Sequence, residues 1–263
     1  MSTVAAAPLV FITGASSGIG LALAQRFREA GWRLALVARR VDTLAAWCAE
    51  RRLSAPDVEV YAADVRDVDA ITAAGRLCLA RQGLPDVVIA NAGISHGIDS
   101  ALREDLDVMR ATLETNVLGV AATFQPFIGG MRARRSGALV GIGSVAGIRG
   151  LPGHAAYCAS KAAVISYCES LRGECRGSGV AVVTLLPGYI DTPLTRGNPY
   201  AMPFLLSAES FADRAYRAIA VRASYRVIPW QMGVVAKLMR LLPNAWFDRT
   251  FAGRPRKPRQ SAR

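Results

Sequence analysis

The chain has 263 residues, 52% of them hydrophobic, and its 32 basic and 20 acidic side chains give a net charge of +12. This length and apolar content allow one large core, and no composition break, linker or internal repeat divides the chain. A positive field of this size suits nucleic acid, an anionic membrane or an anionic substrate. No zinc finger, helix-turn-helix or other nucleic-acid-binding signature is present, so we expect no nucleic-acid partner.

Short apolar runs typical of buried strands recur along the chain, and helical patterns fall between most of them. This alternation predicts an α/β fold, a doubly wound parallel sheet of about seven strands with helices on both faces. Ligands bind such sheets at the carboxyl ends of the strands. The predicted strands are Leu9–Ile12, Arg33–Val37, Val58–Ala62, Val87–Ala90, Ala138–Ile142, Val180–Leu186 and Tyr225–Ile228.

Three glycines, Gly14, Gly18 and Gly20, stand between the first predicted strand and a helical pattern that ends at Gly31. Such glycines let the backbone approach a pyrophosphate, and the helix N-terminus adds N–H groups and a favourable dipole. The spacing is Gly-x-x-x-Gly-x-Gly, not the commoner Gly-x-Gly-x-x-Gly. A glycine-rich turn alone is weak support, because many are only tight turns. Its place between strand and helix indicates a dinucleotide site.

The end of the second predicted strand bears on which dinucleotide is bound. Enzymes that use NAD usually place an acidic residue there to hold the ribose 2′-hydroxyl. Here Ala38 occupies that position, and Arg39 and Arg40 follow it. Guanidinium groups pair with a 2′-phosphate that a carboxylate would repel, although two arginines in a loop can also be merely solvated. The pattern favours NADP(H) over NAD(H), with Arg39 as the direct contact.

Tyr157 and Lys161 are four residues apart on a predicted helix, so their side chains share one face. A nearby positive charge favours the phenolate and would lower the pKa of Tyr157 from its usual value of about 10. The pair could then move a proton near neutral pH, while the hydroxyl of Ser144 holds a carbonyl or alcohol oxygen. Such pairs are more often solvated helix faces, and this one gains its meaning from the glycine turn.

Together these motifs resemble the short-chain dehydrogenase/reductase family, in its branch of single-domain enzymes of roughly 250 residues. The resemblance covers about Pro8 to Thr195 and rests on six ordered motifs. It implies a catalytic tetrad of Asn116, Ser144, Tyr157 and Lys161. It also implies cofactor contacts from Gly14, Ser16, Ser17, Gly18, Ile19, Gly20, Arg39, Arg40, Asp64, Val65, Asn91, Ala92, Gly93, Tyr157, Lys161, Pro187, Gly188, Ile190 and Thr192.

The resemblance implies an NADP(H)-dependent oxidoreductase that interconverts a carbonyl and a secondary alcohol. Tyr157 would act as general acid or base, Lys161 would also hold the nicotinamide ribose, and Asn116 would hold a water that links Lys161 to solvent. The alternative is a dinucleotide-binding sensor or scaffold without turnover, because a fold alone does not fix a function. The complete tetrad favours the enzyme.

The five cysteines are scattered and the two histidines have no metal-ligand spacing. We therefore expect free thiols in a reducing compartment and no metal site. His154 could line the pocket, although a surface loop is the favoured interpretation. The N-terminus lacks a charged secretory segment, so the expected location is the cytoplasm.

Residues 192–210 are predicted to form a lid over the substrate. Arg196 could meet an anionic group there, but a place on the surface is favoured. The lid sequence is otherwise rich in apolar side chains, which favours an apolar substrate: Leu194, Tyr200, Met202, Phe204, Leu205 and Leu206.

Residues 1–253 are expected to form the single domain and residues 254–263 a basic, mobile tail. Residues 231–242 are predicted to form an amphipathic helix that packs on the core, roofs the pocket or joins the subunits of a homodimer or homotetramer. The alternative is an interfacial helix whose basic tail contacts anionic lipid, which would make the protein peripheral to a membrane. The apolar stripe of this helix consists of Met232, Val235, Leu238, Met239 and Leu242.

Overall fold

Strands and helices alternate along residues 7–253 and 255–259, which a computed structural model of the protein describes. The strands are β1 (Leu9–Thr13), β2 (Arg33–Ala38), β3 (Val58–Ala62), β4 (Val87–Ala90), β5 (Gly137–Ile142), β6 (Val180–Pro187), β7 (Ile190–Asp191), β8 (Leu206–Ser207) and β9 (Tyr225–Ile228). Seven of them form a parallel sheet in the order β3-β2-β1-β4-β5-β6-β9. Each of the seven predicted strands is present in it, with ends that differ by no more than one residue.

Helices cover both faces of this sheet, which confirms the doubly wound α/β fold. A π-helical turn, Glu114–Leu118, joins α4 to α5, and a 3-10 turn, Val145–Gly147, follows β5. The α-helices are α1 (Gly18–Glu29), α2 (Asp42–Glu50), α3 (Val68–Arg81), α4 (Asp105–Leu113), α5 (Gly119–Arg134), α6 (Ala155–Glu174), α7 (Ala208–Ala220), α8 (Trp230–Leu241) and α9 (Asn244–Phe251).

The strands are apolar on both sides because each face of the sheet has its own core. Successive side chains of a strand point to opposite faces, so Val10 and Ile12 of β1 share one core with Phe27 of α1. Phe11 points to the other face, where its ring centroid is 4.9 Å from that of Phe127 in α5. Two-sided burial explains why the strands read as continuous apolar runs.

The sheet reverses its winding beside β1, and that reversal opens the ligand cleft. β1 pairs in parallel with β2 on one side and with β4 on the other. The helices that follow β1 and β4 therefore diverge to opposite faces, and a crevice forms at the carboxyl ends of these strands. The glycine turn after β1 and the Asn91-Ala92-Gly93 segment after β4 lie at this crevice.

The predicted C-terminal amphipathic helix is present as α8, but it buries a narrower face than the sequence suggests. Met232, Gly233 and Ala236 are buried, whereas Leu238 of the predicted stripe is 60% exposed. The helix thus packs on the core with one face and leaves another apolar face outside. None of the helices in the described part of the chain combines the length and apolarity that a membrane span requires.

The expectation of a mobile basic tail does not match the described residues 255–259, which lie against the rim of the cleft. The backbone N–H of Gly97 donates to the carbonyl oxygen of Pro258 at 3.0 Å. Arg259 forms an ion pair with Asp105 at 2.8 Å, and the Asp105 side chain is only 3% exposed. Of the basic residues that suggested a solvated tail, Lys257 and Arg259 have specific partners on the folded domain.

Candidate active site

The glycine turn has a backbone conformation that other residues adopt at a cost. Gly14 and Gly18 have φ angles of +66° and +53°, in the left-handed region that glycine enters freely. A Cβ atom on Gly20 would lie 2.2 Å from the carbonyl oxygen of Gly14. Gly20 therefore packs directly against the backbone of the glycine turn. Gly20 does not itself line the cavity, and its contact with a cofactor stays a prediction.

The N-terminus of α1 faces this cavity without a side-chain cap. Ser17 is the N-cap residue, but its hydroxyl accepts no backbone hydrogen bond, and the first turn of α1 carries no acidic side chain. The orphan N–H groups and the positive end of the helix dipole are therefore available to an anion. Ser16, Gly18 and Ile19 line the cavity beside Ser17. This arrangement suits a phosphate group.

Asn91 at the end of β4 fixes the glycine turn in place. Its side-chain amide donates to the carbonyl oxygens of Thr13 at 3.0 Å and Gly14 at 3.3 Å. The Thr13 hydroxyl in turn accepts from the backbone N–H groups of Asn91 at 3.1 Å and Ala92 at 3.3 Å. These bonds join the ends of β1 and β4, so the turn is held at the crevice by the neighbouring strand.

Two arginines stand at the cavity wall beyond Ala38, where β2 ends. Arg39 lies 3.8 Å from the carboxylate of Asp64, whereas Arg66 binds the same carboxylate at 2.8 Å. Burial alone would raise the pKa of Asp64, but hydrogen bonds from Arg66 bring it below its ordinary value. Asp64 therefore stays ionised with Arg66 as its main partner. Arg39 and Arg40 line the cavity with their charges largely free for an anion.

Ser144, Tyr157 and Lys161 meet at the ends of β5 and α6. Ser144 is the N-cap of the 3-10 turn, and its Oγ accepts from the backbone N–H of Ala146 at 3.2 Å. Its hydroxyl is also hydrogen-bonded to that of Tyr157. The Nζ of Lys161 donates to the carbonyl oxygen of Ile142 at 2.8 Å and lies 5.8 Å from the Tyr157 ring centroid. The predicted trio is thus assembled in one place.

The expected lowering of the Tyr157 pKa is not observed. Burial raises the pKa of Tyr157, and the hydrogen bond from Ser144 opposes this rise only in part. Burial also lowers the pKa of Lys161 to about 8. Lys161 is buried and Tyr157 is partly exposed at the cavity wall, and desolvation pushes each toward its neutral form. The phenol keeps its proton, which suits a proton donor.

Asn116 lies in the π-helical turn and is fully buried, so it does not line the cavity. Its Oδ1 accepts from the backbone N–H of Ile94 at 2.8 Å. Its amide donates to the Ile94 carbonyl oxygen and to the Ser160 hydroxyl, both at 2.9 Å. The Ser160 hydroxyl donates to the carbonyl oxygen of Tyr157 at 2.8 Å. Asn116 therefore connects the segment after β4 to the helix that carries Tyr157.

These elements surround one cavity of about 420 Å³ at the carboxyl edge of the sheet. All predicted site residues line it except Gly20 and Asn116. Several wall residues were not predicted, because apolar strand ends and backbone positions carry no chemical signature in the sequence. They are Val37, Ala63, Ile94, Thr115, Ile142 and Gly143, whereas Ala38 and the lid residues Pro193, Leu194 and Thr195 also line the cavity and were expected near a ligand.

The segment from Ile190 to Thr195 closes the cavity beside the glycine turn. The hydroxyl of Thr195 donates to the Ile190 carbonyl oxygen at 2.5 Å and accepts from the backbone N–H of Thr192 at 3.1 Å. Arg196 pairs with Asp191 at 2.9 Å on the surface. The predicted lid extended to residue 210, but α7 already begins at residue 208 and packs against α1.

His154 is buried rather than placed on a surface loop, which corrects the favoured interpretation. Its Nδ1 is 3.2 Å from the Pro152 carbonyl oxygen and its Nε2 is 3.1 Å from the Tyr200 hydroxyl. Burial lowers the pKa of His154, so the ring is neutral at pH 7. Burial raises the pKa of Tyr200 to about 12, with Tyr189 and Tyr157 close enough to add to the effect. His154 and Tyr200 are thus near Tyr157 but outside the cavity lining.

Metal ligands are not grouped in the described part of the chain. No set of three or more His, Cys, Asp or Glu side chains there is arranged to hold an ion.

Comparison with known proteins agrees with this geometry. The family model described as short chain dehydrogenase matches residues 8–201. An "Uncharacterized oxidoreductase" of Myxococcus xanthus is 40% identical over 238 residues, 90% of this chain and 93% of that protein. The solved alcohol dehydrogenase of Thermococcus sibiricus, complexed with 5-hydroxy-NADP, is 27% identical with a TM-score of 0.73, covering 84% of this chain and 95% of that one.

A second solved structure, a short chain dehydrogenase/reductase of Burkholderia phymatum in complex with NAD, shares the fold with a TM-score of 0.80 at 24% identity. The match covers 97% of this chain and 98% of the Burkholderia phymatum chain. The chain belongs to the short-chain dehydrogenase/reductase family and is an oxidoreductase of that family.

Proposed function

We propose that the protein is an NADP(H)-dependent oxidoreductase that interconverts a carbonyl group and a secondary alcohol. The observation that carries the proposal is the Tyr157 hydroxyl, hydrogen-bonded to Ser144 in the same cavity as the uncapped N-terminus of α1. A bound nicotinamide supplies or accepts the hydride. The protein's own groups bind and orient the reactants and move the proton.

Tyr157 is the proposed proton donor in the reductive direction. Because burial raises its pKa, the hydroxyl is protonated at neutral pH and can donate to a carbonyl oxygen. The Ser144 hydroxyl, already bonded to that of Tyr157, is placed to hold the same oxygen. Lys161 would hold the nicotinamide ribose from the floor of the cavity. In the oxidative direction the proton returns from the alcohol to the Tyr157 oxygen.

Asn116 is proposed to act through other residues. Its side-chain amide makes three hydrogen bonds inside the protein, and these fix α6 relative to the segment after β4. The expected water between Lys161 and solvent is not tested by these contacts. A positioning role for Asn116 is the part of the expectation that they support.

The residues present fit a dinucleotide with a 2′-phosphate. The turn has no room for a Cβ atom at Gly20 and presents the free N-terminus of α1 to a pyrophosphate. Ala38 leaves no carboxylate at the end of β2, and Arg39 beside it has only a long contact with Asp64. Relatives bind NAD or an NADP derivative, so the proposed preference for NADP(H) rests on Ala38 and Arg39.

The test is NADPH oxidation with a panel of ketones and aldehydes, measured beside NADPH binding. Turnover of at least one carbonyl compound is the expected result. The alternative, a sensor or scaffold, predicts tight NADPH binding and no turnover across the panel. Binding of NADH but not NADPH would contradict the proposed cofactor while leaving the reaction intact.

A second proposal concerns where the enzyme works, and it follows from an apolar surface on α8 and α9. This outer face consists of Trp230, Val234, Leu238, Leu241 and Trp246, exposed at 67%, 48%, 60%, 80% and 68%. The α8 members recur every three or four residues, so they share one side of the helix. A contiguous exposed apolar surface of this kind marks an interaction site.

We propose that the outer face rests on an anionic membrane surface. Lys237 and Arg240 are exposed on the same helix, a combination of apolar and basic side chains typical of interfacial helices. Arg149 holds this region rigid, because its guanidinium donates to the Leu242 carbonyl oxygen at 2.7 Å and lies 3.9 Å from the Phe247 ring centroid. A second copy of the chain, in a homodimer or homotetramer, is the other occupant that a test must separate.

A further inference from the structure

We infer that Lys257 recognises an anionic group on the substrate, so that the natural substrate is a carbonyl compound with a carboxylate, sulfonate or phosphate at its far end. This inference rests on the proposed carbonyl reduction and specifies the substrate class of that site. It also adds a charged end to the apolar substrate that the lid sequence suggests.

Lys257 lies beside the cavity and contacts one of the residues that line it. Its Nζ donates to the Ser95 hydroxyl at 3.1 Å and to the Leu194 carbonyl oxygen at 3.0 Å. Leu194 lines the cavity, and Ser95 directly follows the cavity residue Ile94. The ammonium therefore bridges the segment after β4 and the segment after β7, each of which contributes residues to the cavity wall.

The charge of Lys257 acts on two histidines, one of which is bonded to a neighbour of Tyr157. After burial, the charge of Lys257 is the neighbouring influence that lowers the pKa of both His96 and His154. His154 is hydrogen-bonded to Tyr200, and Tyr200 is close enough to Tyr157 for the two to disfavour each other's ionisation. His154 and Tyr200 therefore connect the neighbourhood of Lys257 with that of Tyr157.

The tail that carries Lys257 is held by contacts on either side of it. The Gly97 N–H donates to the Pro258 carbonyl oxygen at 3.0 Å, and a Cβ atom on Gly97 would lie 2.0 Å from the Lys257 carbonyl oxygen. Arg259 is bound by the buried carboxylate of Asp105 at 2.8 Å. The ammonium is thus fixed at the cavity by the folded domain, as a recognition residue requires.

The charge of Lys257 has only neutral partners. Within the described residues no carboxylate lies at ion-pairing distance from its Nζ, whereas Arg39, Arg196 and Arg259 each contact one. Burial lowers the pKa of Lys257, because the ammonium loses hydration that the two oxygen acceptors replace only in part. An ammonium has three donors, and an anionic group on the substrate would bind the remaining one and offset the burial.

The test compares two ketones of similar shape, 4-acetylbenzoate and 4-methylacetophenone, each reduced to a secondary alcohol with NADPH. We expect the intact enzyme to favour the carboxylate in kcat/KM. Lys257→Met should lower the ratio of the two kcat/KM values about 10- to 100-fold, the range for a hydrogen bond to a charged group. Lys257→Arg should keep most of the preference, because it keeps the charge.

Arg256→Met is the matched control, because it removes the same charge one residue away from an exposed side chain. It should leave the ratio within about twofold, a change too small for a lost charged hydrogen bond. Circular dichroism and the thermal midpoint check that Lys257→Met is folded. An intact enzyme without preference for the carboxylate, or a preference that survives Lys257→Met, would overturn the inference.

A binding measurement separates this inference from the proposed reaction. Calorimetry in the presence of NADP⁺ compares 4-(1-hydroxyethyl)benzoate with 1-(4-methylphenyl)ethanol for the same variants. If no ketone is reduced but the carboxylate binds and its binding requires Lys257, the proposed reaction is wrong and the anion site stands. If neither alcohol binds preferentially and no preference appears in turnover, the anion site is wrong whatever the reaction.

Discussion

The two ends of the chain meet at one cavity, and their residues are brought there in different ways. The N-terminal side is local, since the glycine turn, the helix N-terminus and Arg39 all lie within the first forty residues. The C-terminal side is assembled over distance, because Lys257 meets Ser95 across 162 positions and Leu194 across 63. Residues that lie close together in the sequence can be recognised as a motif. A side built from distant single residues is visible only once the chain is folded.

The largest effect is expected at Tyr157, where the two sides meet. Tyr157→Phe removes the phenolic proton and nearly preserves shape, so reduction should fall about 10²- to 10⁴-fold while NADPH affinity is kept. The measurement is steady-state NADPH oxidation beside NADPH binding. Tyr167→Phe on the same helix is the control, because that ring stacks on Phe124 away from the cavity. Near-parental turnover by Tyr157→Phe would mean that another group donates the proton.

A substitution at Gly20 tests whether the glycine turn tolerates a Cβ atom at this position. In Gly20→Ala the new methyl group would lie 2.2 Å from the Gly14 carbonyl oxygen, so the turn must shift. Overpacking of this kind costs about 1–3 kcal/mol, and we expect both a lower thermal midpoint and weaker NADPH binding.

The control for this substitution is Gly129→Ala, also within a helix, where a Cβ atom meets nothing within 4 Å. That variant should gain about 0.5–1 kcal/mol of stability, because alanine loses less backbone freedom. Equal behaviour of the two alanine variants would show that the turn adapts and that Gly20 is not required.

The same contrast explains what could be predicted from sequence. The seven strands of the main sheet were found because two-sided burial leaves long apolar runs. The pair β7 and β8 was missed, because strands of two residues carry no periodicity. The π-helical turn around Asn116 was missed for a related reason: its residues have helical character, and only the hydrogen bonds distinguish it.

The wrong predictions at the site concern residues whose pKa or exposure depends on burial or on partners far away in the sequence. The Tyr157–Lys161 spacing reveals a charge next to a phenol, but not the desolvation that shifts both pKa values, and so the predicted direction of the Tyr157 shift was wrong. His154 and Lys257 each look solvated in sequence. Their partners, Tyr200 and Ser95, are unremarkable residues far along the chain.

A substitution at Arg39 tests whether this residue binds the 2′-phosphate of NADPH. Arg39→Ala should weaken NADPH binding by about 1.5–3 kcal/mol, as expected for a hydrogen bond to a charged group, and should leave NADH binding nearly unchanged. Binding constants for both dinucleotides provide the measurement. Arg40→Ala, at the neighbouring wall position, should have the smaller effect. If Arg39→Ala weakens both cofactors equally, the 2′-phosphate is not read by this residue.

Lys161 should make cofactor binding depend on pH. Its pKa is lowered to about 8 by burial, so the ammonium is charged below that pH and neutral above it. NADPH affinity should therefore decline as pH rises through about 8, by at most tenfold for each further pH unit. In Lys161→Arg the guanidinium keeps its charge, and this decline should be absent. An identical decline in Lys161→Arg would assign the titration to another group.

Substitutions on the outer face are expected to leave catalysis unchanged. The outer face lies near the C-terminal end of the chain but does not line the cavity. Truncation of the tail is a poor probe of membrane contact, because it also removes Lys257 and Arg259 from the rim of the cavity. A single substitution on α8 avoids this difficulty. Leu241 is 80% exposed, so a polar residue there leaves the core intact.

Leu241→Ser should lower partition onto anionic vesicles about tenfold, since an apolar side chain of this size contributes roughly 1.5 kcal/mol when it leaves water. Binding by the intact protein should also weaken as salt rises, because Lys237 and Arg240 act through screened charges. Val221→Ser, at an apolar position that is 71% exposed on another surface, is the control. Co-sedimentation and analytical ultracentrifugation are read together. Loss of a dimer in Leu241→Ser, with no vesicle binding by the intact protein, would instead make the outer face a contact between two copies of the chain.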